Sequence, residues 1–165
     1  MAAIDKAGKV ISAARMPLMK ALRGHKEVST TALLRWLIEI TDLAGGSANC
    51  FACLEFVHSF GYESRSSMFS FGRSDGKTRA ALESLEIPFM DVDPKLWKNF
   101  LLPNTIKSSK QPAIDYCHNR WPTLEKVCNL VELTDGVADA FCLADYARLV
   151  VHSSLLGPNS PPKKS

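Results

Sequence analysis

One stretch of the sequence, residues 48–57 (ANCFACLEFV), limits the possible folds more than any other. It is an almost continuous apolar run of strand length, which is typical of a strand that is covered on both faces of a sheet. Helical patterns stand on both sides of it, one beginning at Ser29 or Thr30 and one at Lys77. The sequence therefore predicts an α/β fold in which this run is a central strand.

The remaining elements follow from caps, turns and periodicity. Residues 2–5 and 9–15 are predicted to form a hairpin around the turn DKAG, and the basic segment 18–28 is predicted to be a loop. Further helices are expected in DPKLWKNFLL, in SSKQPAIDYCHNRWP and from about Thr134 to Leu155, and a short strand is expected in IPFMDV. We expect a mixed sheet, antiparallel at its start, with helices on both faces. Residues 1–156 would be one domain and residues 157–165 a disordered tail.

Composition is that of a soluble globular domain. The chain has 165 residues, of which 46% are apolar and 22% charged. No apolar run is long enough to span a membrane, and no signal peptide pattern opens the chain. The five cysteines favour a reducing compartment over a disulfide framework. The net charge is only +3, but four basic residues and no acid lie in each of the segments 15–26 and 94–114, which suits either a phosphate backbone or an ordinary solvated surface.

Three acidic residues stand out. Glu55 ends the apolar run, where a buried carboxylate needs a partner or a metal, although a position on the rim of the sheet would also explain it. Asp135 and Asp139 are four residues apart, so they share a face of the last helix and repel each other. Asp135 would also suit the first turn of a helix. Asp145 and Arg148 look like the solvated face of that helix, which places Asp139 on another face.

A shared divalent cation would remove the repulsion between Asp135 and Asp139. Carboxylate oxygens suit Mg²⁺ or Mn²⁺. A glutamate on a central strand together with an aspartate pair on the last helix is the arrangement of a two-metal phosphodiester nuclease.

Four segments in order resemble the RuvC-like Holliday junction resolvases of the RNase H-like (retroviral-integrase) superfamily. They are GKVISAARMPLMK, CLEFVHSFGYESRSSMFSFGRSDG, LEIPFMDVDPKLWKNFL and ELTDGVADAFCLADYARL, and together they extend over residues 3–150. The resemblance implies an RNase H-like sheet with flanking helices. It also implies a homodimer that binds branched DNA, the four-way junction, and makes paired nicks for recombination and repair.

The resemblance also implies roles for particular residues. Glu55, Asp135 and Asp139 match three of the four metal-binding catalytic acids, with Mg²⁺ or Mn²⁺ as the cofactor, and Lys98 matches a basic catalytic position beside the cleft. On charge grounds we expect Lys95 and Lys98, three apart on one helix face, to contact phosphates, and Lys107 or Lys110 could play a role similar to that of Lys98. Arg73 and Lys77 are further expected DNA-binding residues. Four aromatic residues, Phe60, Tyr62, Phe69 and Phe71, could stack on an opened junction, although we expect most of them in the core. A bacterial or phage-infected cytoplasm is the expected location, with an organelle as the alternative.

One departure from the family pattern is important. Family members begin with a strand that carries I-D-P-G-x-x-G-A, whose aspartate is the first metal ligand, whereas this sequence begins at what resembles the second strand. Asp5 lies in AAID but is followed by a turn, so we interpret it as a turn aspartate and expect an N-terminally incomplete domain. The alternative function is therefore a non-catalytic junction-binding protein with an incomplete metal site. An unrelated small-molecule enzyme is a third possibility.

Overall fold

The computed structural model describes residues 1–20, 26–56, 65–102 and 111–155. Within these ranges the strands are β1 (Ala2–Ile4), β2 (Val10–Ala13), β3 (Leu18–Lys20), β4 (Lys26–Val28), β5 (Ala52–Glu55) and β6 (Phe89–Val92). The helices are α1 (Thr30–Leu43), α2 (Arg65–Ser84), α3 (Pro94–Leu101), α4 (Gln111–Arg120), α5 (Leu124–Val127) and α6 (Asp135–Leu155). The predicted α/β class is confirmed.

The described strands form three separate pairs and not the single mixed sheet that we expected. β1 pairs with β2 and β3 with β4, both antiparallel, whereas β5 pairs with β6 in parallel. The antiparallel start and the mixed strand directions agree with the prediction. The difference is that β1 and β5 both pack against α6 without pairing with each other.

The β5–β6 pair separates two hydrophobic cores, because side chains alternate between the two faces of a strand. On one face, Cys53 and Val92 pack into a core with α3, α4 and α6, centred on Trp97 and Phe141. On the other face, Leu54 joins a second core with residues of α1 and α2. The expectation of helices on both faces is therefore met at β5–β6, which explains why β5 is apolar up to its last residue, Glu55.

The helices α1 and α3 begin directly after the residues that we expected to cap them. The Ser29 side chain accepts a hydrogen bond from the Ala32 amide at the start of α1, and Asp93 accepts one from the Lys95 amide at the start of α3. α1 ends at Leu43, and the pair Gly45-Gly46 that follows shortly after has φ angles of 76° and 121°. Only glycine adopts such positive φ angles without strain, so this pair stops the helix.

Two predictions about the first half of the chain are wrong. Residues 18–28 do not form a loop throughout, because 18–20 and 26–28 pair as the β3–β4 hairpin. α2 begins at Arg65 and not at Lys77, so the serine- and glycine-rich segment is helical from there. Glu27 of β4 is buried, and Arg73 and Lys77 of α2 contact it at 2.7 and 2.9 Å, which joins the hairpin to the helix.

The prediction that Asp145 lies on a solvated face of α6 is also wrong. Asp145 is fully buried. It accepts hydrogen bonds from Tyr116 and Arg148, each at 2.7 Å, and Arg120 lies 3.5 Å away. The expected pairing with Arg148 is confirmed. A buried carboxylate is stable here because three donors from α4 and α6 surround it.

No helix in the described part of the chain is long and apolar enough to cross a membrane.

Candidate active site

A cleft of about 1400 Å³, which we call the central cleft, lies between β1 and β5. One face of α6 and one face of α1 complete its walls. The cleft occupies the space between the β1–β2 and β5–β6 pairs, so the separation of the two sheets creates it. The three acids that the sequence singled out, Glu55, Asp135 and Asp139, all line it.

Glu55 is the last residue of β5 and is half-buried. The indole Nε1–H of Trp97 donates a hydrogen bond to its Oε1 at 3.3 Å. Trp97 is fully buried in α3. Since α3 directly follows β6, the parallel neighbour of β5, the pairing of the two strands brings Trp97 to Glu55. Glu55 is therefore a carboxylate with a defined orientation at the edge of the cleft. It has a hydrogen-bond partner, and it also lies at the end of its strand, so both interpretations of the sequence apply to it in part.

Asp135 and Asp139 lie in the first two turns of α6 and are half-buried. The carbonyl of Thr134 accepts hydrogen bonds from the amides of Val137 and Ala138, which starts the helix immediately before Asp135. Asp135 thus lies where the helix dipole stabilises a negative charge. Because Asp139 is one turn further along the same face, both carboxylates border the cleft.

The three acids share a cleft but do not form a closed ligand cage. Among the described residues, no three His, Cys, Asp or Glu side chains come together so that they could hold one metal ion. Mg²⁺ does not require such a cage, since it usually keeps several waters and binds one or two carboxylates together with substrate phosphates. Asp135, Asp139 and Glu55 each contribute a carboxylate to the lining of this space.

Asp5 also lines the cleft but has a structural role. Its Oδ1 accepts a hydrogen bond from the Lys9 amide at 2.8 Å, and its own amide donates to the Lys9 carbonyl at 2.9 Å. These bonds close the turn between β1 and β2, so Asp5 is in the turn that we predicted.

The predicted basic residues are divided among different surroundings. Lys95 and Lys98 are exposed on α3, and the Lys98 ammonium lies 4.9 Å from the centre of the Trp97 ring. Lys98 is therefore adjacent to the residue that holds Glu55. Arg73 and Lys77 are paired with Glu27, as described above. Lys107 and Lys110 lie outside the described residues.

The aromatic residues after β5 are not core residues where the structure describes them. Phe69 is 69% exposed and Phe71 is 49% exposed on α2, so the expectation that they are buried is wrong for both. The Arg73 guanidinium lies 5.6 Å from the centre of the Phe69 ring. Phe60 and Tyr62 lie outside the described residues.

The contact of Trp97 with Glu55 was not predicted from the sequence. The segment LWKNF drew attention through Lys98, although an indole N–H beside a buried strand was an equally clear sign of a polar partner. Cys53 also borders the cleft, and burial raises the pKa of its thiol to about 11. A thiol that keeps its proton is a poor nucleophile.

Comparison with protein-family models and with the curated proteins found no match for this chain.

Proposed function

We propose that this protein is a metal-dependent, structure-selective DNA endonuclease of the Holliday junction resolvase type. The observation that carries the proposal is that Glu55 of β5 and Asp135 and Asp139 of α6 line one cleft, although about 80 residues separate the strand from the helix in sequence. The resemblance of four ordered segments to the RuvC-like resolvases supports the same conclusion. It adds the RNase H-like fold, the homodimer and the four-way junction as parts of the proposal.

Asp135 and Asp139 would hold Mg²⁺ or Mn²⁺, and Glu55 borders the same space. A divalent ion there would supply the Lewis acid for phosphodiester hydrolysis. Trp97 fixes the orientation of the Glu55 carboxylate through its hydrogen bond, and it does so from a fully buried position. Orientation by a rigid neighbour is what a carboxylate needs in order to act at a defined atom of the substrate.

DNA would approach along α3. Lys95 and Lys98 are three residues apart on the exposed part of this short helix, so both can reach phosphates of one strand. We expect Lys95→Ala and Lys98→Ala to weaken junction binding and to reduce the slope of its salt dependence by about one per phosphate contact. Lys126→Ala is the matched control, since Lys126 is also exposed but lies on α5.

The decisive experiment uses a labelled four-way junction with Mg²⁺ or Mn²⁺ and follows cutting and binding separately. Asp139→Asn should abolish cutting and leave binding intact, because the amide keeps the shape of the side chain and loses its charge. The control is Asp115→Asn on α4, an exposed aspartate outside the cleft. Cutting by Asp139→Asn at the wild-type rate would show that the assigned site is wrong.

A second candidate function is a non-catalytic junction-binding protein. The observation in its favour is the lack of a three-residue ligand group among the described residues. This candidate predicts that the wild-type chain retains the junction and does not cut it with either metal. Failure to bind the junction at all would reject both candidates.

A further inference from the structure

Two cysteines lie on the packed faces of α4 and α6, in the core that these helices share with α3. Cys117 of α4 and Cys142 of α6 are both fully buried among apolar side chains. The residues one helical turn before them, Ala113 and Ala138, are also buried in this core. Because all four side chains are small, the two helices can approach each other closely where these residues meet.

Each of the two thiols contacts the backbone of the opposite helix. The Cys117 thiol donates a hydrogen bond to the Ala138 carbonyl, with 3.6 Å between sulfur and oxygen. The Cys142 thiol donates one to the Ala113 carbonyl at 3.9 Å. In an α-helix the carbonyl of residue i accepts a hydrogen bond from the amide of residue i+4, so each of these carbonyls lies beside the backbone of the opposite cysteine. Each sulfur therefore reaches the turn that carries the other cysteine.

The two thiols also contact each other. A hydrogen bond with the Cys117 thiol, and after it burial, raises the pKa of the Cys142 thiol above its ordinary value. A disulfide joins cysteines whose Cα atoms are about 4.4–6.8 Å apart, so it forms between two helices only where they pack closely. Reciprocal contacts of the thiols with the opposite backbone are the arrangement that such close packing produces.

We propose that Cys117 and Cys142 are a redox-sensitive pair, which forms a disulfide and so joins α4 covalently to α6. With glutathione disulfide as the oxidant, one cysteine thiolate attacks a glutathione sulfur and releases one glutathione. The thiolate of the other cysteine then attacks the sulfur of the first cysteine and releases the second glutathione. The two cysteine protons pass to the two glutathione thiolates, so one molecule of oxidant is reduced for each disulfide formed. This inference does not depend on the proposed nuclease activity.

The disulfide constrains the part of the chain that carries two of the acids of the central cleft. It closes a loop of about 25 residues, which contains α5 and the first turns of α6. Asp135 and Asp139 belong to this loop, so oxidation holds their turns against α4. Neither Cys117 nor Cys142 lines the central cleft, so the disulfide leaves the cleft open.

The burial of the two thiols determines how they react. A buried thiol that keeps its proton does not meet an oxidant in the closed protein, so the disulfide forms during folding or when α4 and α6 briefly separate. For the folded chain we therefore expect an oxidation rate that stops rising with oxidant concentration once the opening step limits it. Two cysteines that serve only as small apolar core residues would not become linked.

The test refolds the full chain from urea in mixtures of reduced and oxidised glutathione and maps disulfides by mass spectrometry without reduction. Cleavage after Glu125 and Glu132 places Cys117, Cys128 and Cys142 in three separate fragments, so the linked pair is identified directly. We expect the linked fraction of Cys117 and Cys142 to rise with the proportion of oxidised glutathione. The linked chain should have a Tm higher by about 5–10 °C, and dithiothreitol should reverse the change.

Two serine variants provide the matched comparison. Cys142→Ser should lose both the disulfide and the rise in Tm. Cys50→Ser, at a half-buried cysteine that packs against the other core, should keep both. If Cys142→Ser does not fold, the disulfide map of the wild-type chain still decides. The proposal is overturned if Cys117 and Cys142 stay reduced or pair with other cysteines, or if the linked chain is no more stable than the reduced one.

Discussion

At the level of single residues, the three aspartates of α6 differ in how far they are buried, although all are the same residue type on one helix. Asp135 and Asp139 are half-buried at a cleft, whereas Asp145 is fully buried and bonded to Tyr116 and Arg148. Helical periodicity separates these faces correctly, since Asp139 and Asp145 do point in different directions. It does not reveal which face the rest of the chain covers.

We expect Asp145→Ala to reduce the free energy of unfolding by about 3 kcal/mol, because it leaves the Tyr116 hydroxyl and the Arg148 guanidinium without their buried acceptor. Urea denaturation measures the change. Asp115→Ala, at an exposed aspartate bonded only at the surface to Gln111, is the control and should change stability little. Equal losses for the two variants would contradict the role assigned to Asp145.

The Cys53 thiol gives a prediction about pH. Burial raises its pKa from the ordinary value of 9.0 to about 11. The folded chain holds the thiol proton to a higher pH than the unfolded chain does. The thiol therefore contributes fully to the free energy of unfolding below pH 9, and this contribution is lost as pH rises towards 11. Alkylation of Cys53, followed by mass spectrometry, should accelerate about tenfold per pH unit up to pH 10. A rate that levels off near pH 9, as expected for the urea-unfolded chain, would show that the thiol is not shielded.

At the level of secondary-structure elements, N-cap residues mark where α1 and α3 begin, and the two capping hydrogen bonds differ in length. The cap of α3 is a short hydrogen bond of 2.8 Å from the Lys95 amide to Asp93, whereas the cap of α1 is a longer one of 3.4 Å from the Ala32 amide to Ser29. Both caps were visible in the sequence. Only the structure distinguishes their lengths.

We expect Asp93→Ala to cost about 1 kcal/mol of unfolding free energy and Ser29→Ala to cost less, since the weaker bond loses less. Chemical denaturation of both variants tests the order. Asp42→Ala, at an exposed position in the last turn of α1, removes an acid from the negative end of the helix dipole and should not destabilise. The reverse order, with Ser29→Ala the more harmful change, would contradict the geometry.

At the scale of the whole molecule, the β5–β6 pair divides the interior into two cores that share few residues. Leu124 is buried in the core of α4 and α6, and Leu33 is buried in the core of α1 and α2. Each Leu→Ala substitution should cost about 3 kcal/mol, because each removes a fully packed side chain.

Since the two sites lie in different clusters, we expect the double variant to lose the sum of the two effects within about 0.5 kcal/mol. Denaturation of wild type, both single variants and the double variant measures the coupling. Coupling well above 1 kcal/mol would mean that the two cores act as one unit.

Local sequence patterns were enough to predict the α/β class, the first hairpin, the starts of α1 and α3 and the placement of Asp135 and Asp139 on one face of α6. These depend on interactions over a few residues: periodicity, caps and turn chemistry. Tertiary contacts determined that Trp97 holds Glu55, that Asp145 is buried, that Arg73 and Lys77 of α2 pair with Glu27, and that a cleft lies between β1 and β5. Each of these depends on contacts between residues that are far apart in the chain, where no local pattern records which surfaces will meet. The local pair Asp145 and Arg148 could be predicted, but the burial of Asp145 could not.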